Sequence, residues 1–150
     1  MLGLAVAGLA PGVAGAAVAQ TTPAGVWSTA SDVKGGASGI VEIREVDGEY
    51  VGIVRGIPAD AGPRDSLCTK CPGERKGQPI VGMEIMSHMR PTGNNKWGGG
   101  EILDPETGKT YHAQMTLSDD GRKLIVRGFI GFSVFGRSQT WLRLPNLPSR

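Results

Sequence analysis

Cys68-Thr69-Lys70-Cys71 is the sharpest chemical motif in the chain, and a Cys-x-x-Cys spacing is compatible with three chemistries. A local disulfide closing a tight loop is the favoured reading in an exported protein. A thioredoxin-like redox pair requires a βαβ context and a helix N-terminus that lowers a thiolate pKa, and neither is visible. A structural zinc site requires four ligands, of which this pair supplies two. His88 and His112 are the only histidines; one lies beside a loop and the other on the wet face of a strand. No metal and no cofactor is expected.

Other residue types give catalysis little support, and no enzyme is expected. Ser133 and Ser138 lack a Gly-x-Ser-x-Gly elbow and a neighbouring His. Glu101, Asp104 and Glu106 cluster, but Asp104-Pro105-Glu106-Thr107-Gly108 reads as a turn in which Asp bonds its own backbone. Gly98-Gly99-Gly100 precedes a strand rather than a helix, so it is no phosphate cradle. A net charge of +2, from 16 basic and 14 acidic residues, argues against nucleic acid as a partner. Arg122, Lys123 and Arg127 form a mildly basic patch without interleaved aromatics, which reads as a solvated face. Tyr50, Trp97, Tyr111 and Met115 are the side chains expected to line an interior and touch a ligand there; the competing reading is that they are simply core.

The elements that must position these residues follow an apolar leader. Residues 1–19 contain no ionisable side chain and end in Ala17-Val18-Ala19, small residues at the positions a signal peptidase accepts. They read as a signal peptide, with residues 20–150 as one domain that is periplasmic or secreted and has no transmembrane segment after cleavage. No Lys or Arg precedes the apolar run, which places the true start of the signal upstream. Twenty-four glycines in 150 residues is about twice the average usage of ~7%, which disfavours helical bundles and suits turns and bends. Lys109–Leu117 alternates Tyr111, Ala113, Met115 and Leu117 with Thr110, His112, Gln114 and Thr116, the period of a strand with one buried face. Asp47-Gly48 is a hairpin signal. Eight strands are predicted: 26–29, 40–46, 49–57, 80–87, 97–103, 109–117, 123–130 and 132–144. Eight sequential antiparallel strands suit an all-β up-and-down barrel, because closure removes exposed edges; a two-sheet sandwich is the alternative. The 22 residues of Pro58–Pro79 form a long, charged connection that is either a solvated staple or a lid over one mouth.

Gly25-Val26-Trp27 resembles the Gly-x-Trp opening of lipocalin-like barrels. The segments 97–111, 124–131 and 135–141, with Asp47-Gly48-Glu49-Tyr50-Val51-Gly52, resemble the bacterial domain-of-unknown-function family 2147. The resemblance spans nearly all of residues 20–150 and departs from the family pattern at Cys68–Gly73, where two cysteines stand instead of one. It implies an exported lipocalin-like barrel and, by analogy, a small hydrophobic or amphipathic ligand. It further implies a basic residue of the last strand packed over Trp27, with Arg143 first and Arg137 second, and Trp141 beside Trp27 where first and last strands meet. A cell-envelope structural or protein-interaction module with a filled core is the alternative function.

Overall fold

The computed structural model describes residues 3–12, 21–29, 39–58, 62–131 and 136–147. The expected cleavage after Ala19 and Ser133 of the last predicted strand lie outside them. Eight strands pair in chain order: β1 (Gly25–Ser28), β2 (Ile40–Val46), β3 (Glu49–Gly56), β4 (Glu84–Gly93), β5 (Lys96–Asp104), β6 (Lys109–Leu117), β7 (Lys123–Phe129) and β8 (Gly136–Leu144). β8 returns to β1 through Trp27↔Arg143, which closes an antiparallel up-and-down barrel. The sandwich is thereby excluded.

Hairpin chemistry sets this order. Asp47 and Gly48 both adopt positive φ, 53° and 79°, as a two-residue turn between twisted strands requires. The fourth strand departs most from expectation. It begins at Glu84 rather than Ile80, because Gly82 (φ 94°) turns the chain while its N–H donates to the Val54 carbonyl. It also runs through Pro91, which the sequence marks as a turn residue. Pro91 lies beyond Tyr50↔Met89, the last pair between β3 and β4, so its missing N–H costs no ladder bond on that side.

Alternation then places apolar side chains inside. Register partners point to the same face, so Leu117↔Leu124 and Leu124↔Trp141 continue one interior layer around the wall. Outside lie Thr110, His112, Gln114 and Thr116, and ion pairs such as Arg44 and Arg55 on Glu42.

The β3–β4 connection is organised around its cysteines. Cys68 and Cys71 form a disulfide with a Cα–Cα distance of 5.4 Å, and both are buried. Leu67 bridges to Pro79, while the Cys68 N–H donates to Gln78 O at 2.8 Å and Gly77 N–H to Cys68 O at 2.8 Å. This folded excursion packs on the β5–β6 turn: Cys68 Sγ lies 3.5 Å from the Pro105 carbonyl. A side chain at Gly108 would collide with the Lys70 carbonyl, so that turn admits only glycine where the loop presses on it.

Candidate functional site

The barrel has a filled half and an open half. The filled half holds the segment of residues 22–24 that enters β1, the 47–48 turn and the β6–β7 turn. There Trp27 is fully buried and its Nε1–H donates to Pro23 O at 2.9 Å. The Arg143 guanidinium stands 4.3 Å from the Trp27 ring centre. It donates from Nε to Gly121 O (2.7 Å), from Nη1 to Ala24 O (2.8 Å) and from Nη2 to Thr22 O (2.7 Å). One side chain thus ties the β6–β7 turn to the incoming chain and caps this end. Burial pulls its pKa below the usual arginine value, and the guanidinium fork still finds acceptors in three directions.

Above this cap Tyr50 and Trp97 meet edge to face, ring centres 5.9 Å apart. Met89, Met115, Leu117 and Leu124 fill the layers around them, each almost wholly buried. The Tyr50 hydroxyl donates to Glu45 Oε2 at 3.4 Å.

The opposite half opens on a cavity of about 540 Å³. Val41, Val54, Ile85, Ile102, Val126 and Trp141 are among its walls, and Thr29, Asp104, Glu106, Tyr111 and Arg137 bring polar groups to it. Gly128, the register partner of Ala113 one layer above the Met115↔Val126 pair, lies in this wall, and the Tyr111 and Ile102 side chains pack against the place a Cβ would take there. The Trp141 indole N–H donates to Gln139 Oε1 at 3.1 Å, so the aromatic in the wall keeps its polar edge satisfied.

The residues singled out from the sequence divide between these halves. Tyr111 lines the cavity. Tyr50, Trp97 and Met115, expected to touch a ligand, are instead packed into the filled half, because they stand near the closed ends of strands whose open ends form the cavity. Trp141 is a cavity wall rather than part of the closure, since Trp27 faces Arg143 and not Trp141 in the β1–β8 register. Arg137 is likewise not at the closure; it is the second residue of β8 and lines the cavity, six residues from Arg143 along one strand. The Pro58–Pro79 connection touches the cavity through Pro58 at its start, and it packs on Pro105, which lines the cavity together with Asp104 and Glu106. It buttresses the mouth from the side. The histidines stand apart from the cavity: His88 Nδ1 lies 3.0 Å from Glu49 Oε2 in an exposed cluster with Arg90, and His112 packs on Phe129 outside. Both cysteines are buried and joined to each other, the local disulfide that closes the tight loop. Sequence reading missed Val41, Val54 and Val126 as cavity walls; their inward parity was visible, their height in the barrel was not.

The family model described as "Uncharacterized protein conserved in bacteria (DUF2147)" matches residues 25–143, the whole barrel from β1 to Arg143. The chain belongs to this family. The DUF2147 barrel is similar in fold to a solved Helicobacter pylori protein described as belonging to the lipocalin family, with a TM-score of 0.73 and 20% identity over 83% of this chain and 84% of that one. No curated protein matches the DUF2147 chain. Among its described residues, no helix is long and apolar enough to cross a membrane.

Proposed function

We propose that this DUF2147 protein is an exported binding module that holds one small hydrophobic or amphipathic molecule in the open half of its barrel. The observation that carries the reading is the cavity: about 540 Å³, walled by aliphatic and aromatic side chains, reached from one end and floored at the other by the buried layers above Arg143. Ligand sites span roughly 300–1,000 Å³ and combine apolar walls with a few polar groups, and eight-stranded barrels of this size either fill with side chains or hold one small ligand. A structural module with a wholly filled core would not keep this space. The lipocalin-like fold supports the reading by analogy.

The role is binding rather than catalysis. Neither histidine borders the cavity, and Asp104 is held in its turn by the Glu106 N–H (2.9 Å) and the Thr107 hydroxyl (3.0 Å). Export is supported by the apolar leader and by the disulfide, which suits an oxidising compartment. Apolar residues inside and polar ones outside reverse the pattern of a membrane barrel, consistent with a water-borne carrier.

Protein purified from the bacterial envelope, analysed by native mass spectrometry and then extracted with organic solvent, tests this. A co-purifying apolar mass released with unfolding is the expected result. A bare polypeptide mass that takes up nothing from a broad lipid and metabolite panel overturns it.

A further inference from the structure

Tyr111 brings to the cavity wall a polar atom that the protein itself does not use. It is the third residue of β6, close to the β5–β6 turn, and its pairing with Ile102 puts it on the interior face with Ala113 and Met115. Gly128 of the adjacent strand makes room for it: a Cβ there would stand 3.3 Å from Tyr111 Cβ and 3.6 Å from its Cγ, so the side chain lies along bare backbone of β7. Tyr111 is half-buried, and its hydroxyl has no hydrogen-bond partner among the described residues. Other polar groups of the interior are engaged. The Tyr50 hydroxyl donates to Glu45, the Trp27 indole to the Pro23 carbonyl and the Trp141 indole to Gln139. At the cavity, Thr29 Oγ1 accepts the Gly39 N–H at 3.1 Å, and Asp104 is held within its turn. The walls at Val41, Val54, Ile85 and Val126 are buried and apolar.

We infer that Tyr111 is a specificity-determining residue of this cavity: its hydroxyl donates a hydrogen bond to an oxygen at the polar end of the ligand, while the hydrocarbon remainder lies against Val41, Val54 and Val126. The inference rests on the reading of the cavity as a ligand site and specifies the ligand's class, an aliphatic amphiphile whose polar end carries an acceptor oxygen. Desolvation supplies the selection. Water satisfies the phenol of a cavity that holds no ligand, and a ligand that fills the cavity displaces that water. A polar end without an acceptor then leaves the hydroxyl unpaired, which costs more than the net gain of a typical hydrogen bond; a carbonyl, carboxyl or hydroxyl oxygen restores the pairing. A site with a fixed polar group discriminates in this way against the analogue that lacks its complement.

The test uses the full chain and isothermal titration with two probes, methyl octyl ketone, whose carbonyl accepts a hydrogen bond, and decyltrimethylammonium, whose head cannot. Each probe is compared only with itself across variants, so the charge of the head cancels. Tyr111→Phe keeps the ring beside Gly128 and removes the oxygen; it should weaken the ketone about fivefold and leave the ammonium probe within about twofold. Val126→Phe should weaken both probes, as expected if both occupy this cavity. Infrared spectroscopy reads the bond directly. The ketone carbonyl stretch should lie below its hydrocarbon-solvent value when bound to the unaltered protein and return toward that value in Tyr111→Phe. Equal changes for the two probes in Tyr111→Phe, or the same carbonyl stretch in both proteins, overturns the role of Tyr111 and leaves the cavity reading standing. No binding of either probe, or binding indifferent to Val126→Phe, overturns both.

Discussion

Arg143 is the single side chain on which closure depends most. It supplies a cation–π contact to Trp27 and three charge-assisted hydrogen bonds to backbone carbonyls that belong to no strand ladder. Arg143→Met should therefore destabilise the barrel by about 2–4 kcal/mol, since a hydrogen bond to a charged group contributes ~1.5–3 kcal/mol and three acceptors lose their donor together. Arg143→Lys should recover less than half, because an ammonium cannot reproduce the fork. Urea unfolding followed by tryptophan emission measures both, and a loss below 1 kcal/mol for the Met variant would assign the closure to the strand ladder alone. At the other end Val126→Phe projects a ring into the cavity. Amphiphile affinity should fall at least about tenfold, while stability changes by less than about 1 kcal/mol, because the ring enters a void and gains contacts there. Calorimetric titration and urea melts of the same preparation separate the two effects.

Among the elements, the β3–β4 connection links the disulfide to the cavity rim. Closing so short a loop removes little chain entropy, and the loss of Cys68–Cys71 through a double Ser substitution should cost about 2 kcal/mol. The larger consequence is local. The pair packs beside Pro105, next to rim residues Asp104 and Glu106, so ligand dissociation should quicken in the double variant, read by stopped-flow displacement. The strand pattern was legible where polar and apolar residues alternate and short turns punctuate, as in 40–46, 109–117 and the 47–48 hairpin. It failed at the fourth strand because Ile80 and Val81 are β-formers by composition, whereas Gly82 bends the chain there, and because Pro91 is tolerated once its neighbour strand has ended.

At the scale of the whole barrel, surface charge sets the acid limit of stability. Glu42 is held below the usual carboxylate range chiefly by its hydrogen bond to Arg44, with Arg55 adding to it; Glu49 is lowered by Arg90 first and His88 second. Carboxylates depressed in the folded state stabilise it fully above the unfolded pKa of ~4.3 and lose that contribution as pH falls toward the lower folded value. The melting temperature should thus decline below about pH 4.5, and Glu42→Gln should flatten the decline by under about 1 kcal/mol, as befits a surface pair. Scanning calorimetry between acid and neutral pH checks the slope. An unchanged slope in the Gln variant would place the acid sensitivity elsewhere.

Of the candidate site, the sequence determined by itself which side chains point inward, because a strand's period of two is a local property of the backbone. It also determined the barrel class, through eight short strands and hairpin-length turns, and it brought a basic residue of the last strand to Trp27 by resemblance. Only the tertiary structure decided height. Tyr111 and Met115 share a face of β6, yet one borders the cavity and the other is buried in the filled half. Whether an interior layer is full depends on what all eight strands contribute at that level, and bulges such as those flanking Gly52 and Gly98 shift the levels relative to one another. Vacancy is a sum over strands distant in sequence, so it emerges only when the register closes.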